Sequence, residues 1–150
     1  MGNVNRGIGE NTENDGRNGE RKKGLIIVGH GSKLRYYREV MEFHRDRILK
    51  AGFFDEVELA FAAHGRKPTV DEVVKKMESS EIYLVPLFMA YGVHTAEELP
   101  ELLGFEFKEG AVELEINGKK VILCEPVGKD GLVTHAILNR VISAKNELGF

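Results

Sequence analysis

Short apolar runs alternate along the chain with longer stretches in which apolar positions recur every three or four residues. Gly24-Leu25-Ile26-Ile27-Val28 is continuously apolar and bounded by glycines, the pattern of a strand buried on both faces of a parallel sheet. From Leu34 to Ala51 the positions Tyr37, Val40, Met41, His44 and Ile48 form one stripe at helical spacing, and Gly52 marks the stop. Val57 to Ala63 and Ile82 to Phe88 predict two further strands. Between them Lys67-Pro68-Thr69 opens a second helix with Val70, Val73, Val74 and Met77 inward. Thr95, with Glu98 three residues on, predicts the N-cap of a short helix running toward Leu103. Val112 to Ile116 alternates with period two, Asn117-Gly118 is a hairpin turn signal, and Lys119 to Cys124 supplies the return strand. The last segment, about Asp130 to Leu148, reads as a helix burying Val133, Ala136, Ile137, Val141, Ala144 and Leu148.

This succession predicts an α/β fold: three layers, α/β/α, around a central, mainly parallel four-stranded sheet of order 2-1-3-4, plus a β-hairpin. Residues 24–150 are expected to form this domain. Residues 1–23 are rich in Gly, Asn and charge, and nearly devoid of large apolar residues. They cannot bury enough surface to offset ordering entropy, so a disordered N-terminal extension is expected.

Composition narrows the function classes. The net charge is −3 with the signs interspersed, so no nucleic-acid partner is expected. No apolar run is long enough to cross a bilayer, and the N-terminus lacks the apolar core of a secretory signal, so the expected location is cytoplasmic, with no membrane partner. Cys124 is the sole cysteine. That excludes an intrachain disulfide and a Cys-rich zinc site, and its apolar surroundings suit a structural thiol.

The candidate chemistry lies at the switch point of the sheet. Helices following the first and third strands leave toward opposite faces, which opens a crevice at the carboxyl ends of those strands. His30 immediately follows the first strand, and His94 lies in the loop after the third, so topology brings both to one crevice. Gly29, Gly31 and Gly92 keep side chains away from the approach. Neutral imidazole ligates first-row transition metals and is also a base near neutral pH. Lys33, Arg35, Arg66 and Lys67 fall at the same end of the sheet, suited to a ligand with several carboxylates. Met89-Ala90-Tyr91-Gly92-Val93 offers an apolar wall for a flat organic ligand. His44 reads as a core residue, His135 as a surface or capping residue, and His64 as a third candidate for the crevice. The loop Gly29-His30-Gly31-Ser32 also admits a phosphate-binding reading, although its glycine spacing matches neither a P-loop nor a dinucleotide fingerprint.

Val28-Gly29-His30-Gly31-Ser32, Pro86-Leu87-Phe88-Met89-Ala90-Tyr91-Gly92-Val93-His94-Thr95, Leu99-Pro100-Glu101-Leu102-Leu103 and Cys124-Glu125-Pro126-Val127-Gly128 together resemble the short archaeal sirohydrochlorin chelatases, class II enzymes of cobalamin and coenzyme F430 synthesis. The resemblance covers nearly everything after residue 23. It implies ATP-independent insertion of Co²⁺ or Ni²⁺ into sirohydrochlorin, with no cofactor beyond that substrate metal. It further implies metal held between His30 and His94, His30 as acceptor of a pyrrole proton, and substrate contacts from Met89 to His94 and from Lys67. Many relatives carry Glu-Pro-Thr where this chain has Lys67-Pro68-Thr69, so a carboxylate proton acceptor is missing there. Lys67 would pair with a substrate carboxylate instead, or His64 would supply the basicity. Longer members contain two such domains facing one cleft, so the resemblance implies a homodimer here. The alternatives are a metal or tetrapyrrole carrier without turnover, a ferrochelatase acting on the same ring, and a phosphate-binding domain.

Overall fold

The computed structural model describes residues 21–31 and 33–149, with the side chains of His94 and Thr95 excepted. The disorder expected of the N-terminal extension therefore falls, for residues 1–20, outside the described residues. Lys23 already belongs to the first strand.

Among the described residues, eleven segments follow one another. Strand β1 (Lys23–Gly29) leads to helix α1 (Arg35–Ala51), strand β2 (Glu56–Phe61), helix α2 (Val70–Lys76) and strand β3 (Glu81–Pro86). A π-helical turn (His94–Glu98) runs directly into helix α3 (Leu99–Leu103). Strands β4 (Val112–Ile116) and β5 (Lys119–Leu123) form the hairpin, and a 3₁₀ turn (Val127–Lys129) precedes helix α4 (Gly131–Leu148). The α/β class and the central parallel strands are as the sequence predicts. The strand count differs: the hairpin does not stand apart but joins the sheet, giving five strands in the order β2-β1-β3-β5-β4. Its return strand β5 pairs parallel with β3, and β4 pairs antiparallel on the outer edge. Continuous apolar character at Val121 and Leu123 lets β5 enter an interior position, whereas the charged alternation of β4 suits an edge.

Alternate residues of β1 face two cores. Ile26 and Val28 meet Val70, Val73 and Val74 of α2 and Leu99 of α3, and Leu25 and Ile27 meet Met41 of α1. Ile26, Leu84 and Leu99 are wholly buried, each worth about 1.5–3 kcal/mol of transfer free energy. Thr69 caps α2 through a complete capping box with Glu72, and Asp130 caps α4 by accepting the Leu132 N–H.

Three local expectations are corrected. Thr95 lies inside the π-helical turn rather than ahead of a helix; the Thr-x-x-Glu pattern registers helical onset but not that the chain is already wound from His94. His44 is exposed, not a core residue. Helix α4 buries none of its residues: Ile137 is 60% exposed, Val141 56% and Leu148 72%. Helical period identifies an apolar face but not what that face meets. Among the described residues, the start of α4, through Leu132, Val133 and Ala136, lines an open groove floored by Leu25, Ile27, Val85 and Leu87 and walled by His44 and Ile48 of α1. His44 is exposed because none of the described residues covers that groove.

Candidate active site

Parallel pairing sets β1 beside β3, with Val28 opposite Pro86. His30 therefore leaves the end of β1 at the edge where the segment Leu87–Val93 leaves β3. The two segments are tied by the Leu87 N–H donating to the Val28 carbonyl, 2.9 Å. On the other side, the Ala62 N–H donates to the Gly29 carbonyl (2.9 Å) and the Ala63 N–H to the His30 carbonyl (3.1 Å). The His30 backbone is thus fixed from β2 while the adjacent β3 is fixed from β1. The backbone of His94 begins the π-helical turn after β3, preceded by an Ala96 N–H to Gly92 carbonyl bond of 2.7 Å.

The His30 imidazole is half-buried between aromatic rings from both faces of the sheet. It stacks on Phe88, with centroids 4.0 Å apart and planes inclined by 27°. It tilts at 59° against Tyr37 of α1, centroids 5.8 Å apart. Two glycines make this packing possible. A Cβ on Gly29 would lie 2.5 Å from the Met41 sulfur and 2.9 Å from the Tyr37 ring. Gly31 has φ +98°, a conformation few other residues adopt, and a Cβ there would meet the Arg66 stem at 2.4 Å. Sequence reasoning placed Tyr37 on the helix stripe and Phe88 at a strand end, and missed both as partners of the histidine. The available signal was the phenol: a hydroxyl on an apolar stripe needs a partner.

The candidate substrate residues line one side of this region. Met89, Ala90, Gly92 and Val93 are exposed. Met89, Ala90 and Tyr91 border a cleft of about 730 Å³ whose far wall is Glu125, Lys129 and Asp130. His30 is not among its lining residues. Tyr91 is half-buried and points its hydroxyl toward the hairpin, accepting the Gly110 N–H at 3.2 Å and lying 3.4 Å from Glu125. Gly128 fastens the cleft. Its N–H donates to the Phe88 carbonyl at 3.1 Å, and its backbone passes so close that a Cβ would fall 1.6 Å from the Met89 carbonyl oxygen.

The basic residues are less convergent than their sequence positions suggest. Lys67, joined to Pro68 by a cis peptide, is exposed and places its ammonium 2.8 Å from Glu72. This hydrogen bond raises the lysine pKa and lowers that of the glutamate. Arg35 pairs with Glu39 on its own helix at 3.5 Å. Arg66 lays its stem against Gly31, next to His30, and Lys33 is exposed. His64 is exposed and stands 3.8 Å from Glu101 of α3. His135 is exposed on α4. Cys124 is half-buried, its thiol pKa raised by that burial. Among the described residues no group of three or more His, Cys, Asp or Glu side chains is arranged to hold a metal, and none of the helices among them is long and apolar enough to cross a membrane.

A mainly parallel sheet with a histidine on the first of two adjacent loops, at the point where the strand order reverses, defines a small-ligand crevice of the open α/β kind. Its fold is that of a putative cobalamin biosynthesis CbiX protein from Marinobacter aquaeolei, with a TM-score of 0.62, 22% identity, and coverage of 83% of this chain and 98% of that one. The CbiX family matches residues 24–144, and the chain belongs to that family. A sirohydrochlorin cobaltochelatase of Methanosarcina barkeri is 34% identical over 136 residues, spanning 82% of this chain and 97% of its own length. One from Methanopyrus kandleri is 30% identical over 141 residues, again spanning 82% and 97%.

Proposed function

We propose that the protein is a chelatase that inserts a divalent metal, Co²⁺ or Ni²⁺, into sirohydrochlorin without ATP, holding the metal between His30 and His94. The observation that carries this reading is the pairing of β1 with β3, which sets the two histidine-bearing loops side by side. Membership of the CbiX family and the named activity of relatives similar over nearly their whole length support it.

The tetrapyrrole lies along Met89–Val93, which supplies an open, largely apolar surface beside the histidines. Its carboxylates meet Lys33 and Lys67, the latter exchanging Glu72 for the substrate. The ion is substrate, not resident cofactor: a site of two imidazoles holds it while leaving positions open to incoming pyrrole nitrogens. Bending of the macrocycle exposes a pyrrole lone pair. As the metal passes to the pyrrole nitrogens, two N–H protons leave the ring: His30, freed of the metal, accepts one and solvent water takes the other. Stacking on Phe88 keeps the imidazole plane fixed during this exchange. The reaction serves cobalamin synthesis with Co²⁺ or coenzyme F430 synthesis with Ni²⁺, in the cytoplasm.

The working unit is a two-fold homodimer. Among the described residues, nothing covers the apolar side of α4 or the groove over Leu25, Ile27, Val85 and Leu87, and the two are complementary in character. A second copy satisfies both at once by laying its α4 in the groove.

The test is anaerobic absorbance of sirohydrochlorin with substoichiometric protein and Co²⁺, Ni²⁺ or Fe²⁺. Many turnovers per protein with Co²⁺ or Ni²⁺ are expected. Incorporation limited to one equivalent would make the protein a carrier, and fastest turnover with Fe²⁺ would make it a ferrochelatase.

A further inference from the structure

We propose that Tyr37 is a positioning residue for the reaction, clamping the loop after β1 to the segment after β3 so that His30 keeps a fixed place relative to the second histidine-bearing loop. The inference rests on the reading of His30 as a metal-holding residue.

Tyr37 lies on the third residue of α1 and is half-buried. Its hydroxyl donates to the Leu87 carbonyl at 2.5 Å, the residue between β3 and Phe88. Its ring tilts against the His30 imidazole, with centroids 5.8 Å apart. One side chain therefore contacts both segments that leave the switch point. Its ring fills the space beside the imidazole that Gly29 leaves open. The helix beneath does not yield, because Met41, one turn on, is fully buried. A phenylalanine would provide the packing equally well. The hydroxyl is needed only for joining the two segments.

The clamp matters because a metal held by imidazoles on separate loops is bound only while both hold their spacing. Loosening one loop spreads the ligand positions and weakens transition-state geometry more than it weakens binding of a large ring. Substrate affinity, set along Met89–Val93, should be nearly untouched.

The experiment compares the full chain with Tyr37→Phe, His30→Ala and Ile116→Val, the last a loss of packing on the edge strand β4, away from the histidine. Co²⁺ is titrated anaerobically and followed by its visible ligand-field absorption, and steady-state insertion is measured in parallel. Tyr37→Phe is expected to weaken Co²⁺ binding and lower kcat by about tenfold, one hydrogen bond's worth. KM for sirohydrochlorin should stay within about twofold of wild type, and the Co²⁺ bands should change in intensity. Ile116→Val should leave all of these as in wild type. Wild-type Co²⁺ affinity and kcat in Tyr37→Phe would overturn the clamp, as would an equal effect of Ile116→Val. Should His30→Ala itself retain Co²⁺ binding and turnover, the metal-holding role of His30 fails, whatever Tyr37→Phe does.

Discussion

The imidazole of His30 lies nearly flat on the ring of Phe88, with centroids 4.0 Å apart. Phe88 belongs to the core beneath α2 and α3 and is 2% exposed, so the histidine rests on a platform that cannot swing. Such a contact is worth about 0.5–1.5 kcal/mol beyond burial. Phe88→Leu keeps an apolar filler but removes the stack. It should lower kcat about two- to tenfold, with KM for sirohydrochlorin retained and a stability loss below the roughly 3–5 kcal/mol of Phe88→Ala. Chemical denaturation alongside steady-state kinetics separates the two effects.

Gly128 tests the fastening of the substrate loop. With a Cβ 1.6 Å from the Met89 carbonyl oxygen, Gly128→Ala forces either the 3₁₀ turn or the Met89–Val93 loop to move. A cost of about 1–3 kcal/mol is expected, with a rise in KM, since the displaced loop is the proposed ring surface. Thermal unfolding and the KM for sirohydrochlorin measure the two consequences.

At the opposite end of the sheet, Glu56 accepts hydrogen bonds from the Ser79 hydroxyl and from the N–H groups of Glu78 and Ser79. Desolvation is the largest single influence on this carboxyl and raises its pKa, but the three hydrogen bonds and nearby Lys22 together outweigh it, and the net shift is downward. A depressed carboxylate stabilises the fold above its unfolded pKa, and the contribution disappears as pH falls through the folded value. Stability should therefore be flat above about pH 5 from this source and decline below it. Glu56→Gln should flatten the acid limb of a plot of unfolding free energy against pH while lowering stability near neutrality.

Much of this was legible beforehand. Strand and helix order, the β1–β3 neighbourhood and the position of His30 directly after β1 follow from period, glycine stops and right-handed crossover. The family likeness was carried by the motifs around His30 and His94. What could not be read was set by long-range contact. The hairpin's entry into the sheet depends on β5 finding β3, which alternation within the hairpin does not encode. The pairing of Lys67 with Glu72, rather than an open cationic rim, arises because the capping box of α2 brings that carboxylate back over the turn. Tyr37 fits an apolar helix stripe and Phe88 ends an apolar strand, and neither pattern reveals that both rings meet the histidine. The stripe on α4 was read correctly as apolar but assigned to a core within its own chain.

That misassignment bears on assembly. If α4 fills the groove of a second copy, a charge at its centre should prevent pairing. Ile137→Glu, at a position 60% exposed in the single chain, should leave circular dichroism unchanged and convert a dimer into a monomer by sedimentation or light scattering. Turnover should fall with it, because the groove adjoins Leu87, which holds Tyr37. A wild-type chain that sediments as a monomer would contradict the exchange.

The most direct test of the account is sirohydrochlorin turnover by His30→Ala, His94→Ala and the double variant, with Co²⁺ affinity measured on the same preparations. Each single change is expected to lower kcat/KM at least about a hundredfold and to weaken Co²⁺ binding. The double variant should be little worse than either single one, since the two imidazoles act as one unit. Wild-type turnover in either single variant, or independent and multiplicative losses with Co²⁺ binding intact, would contradict a metal held between these two histidines.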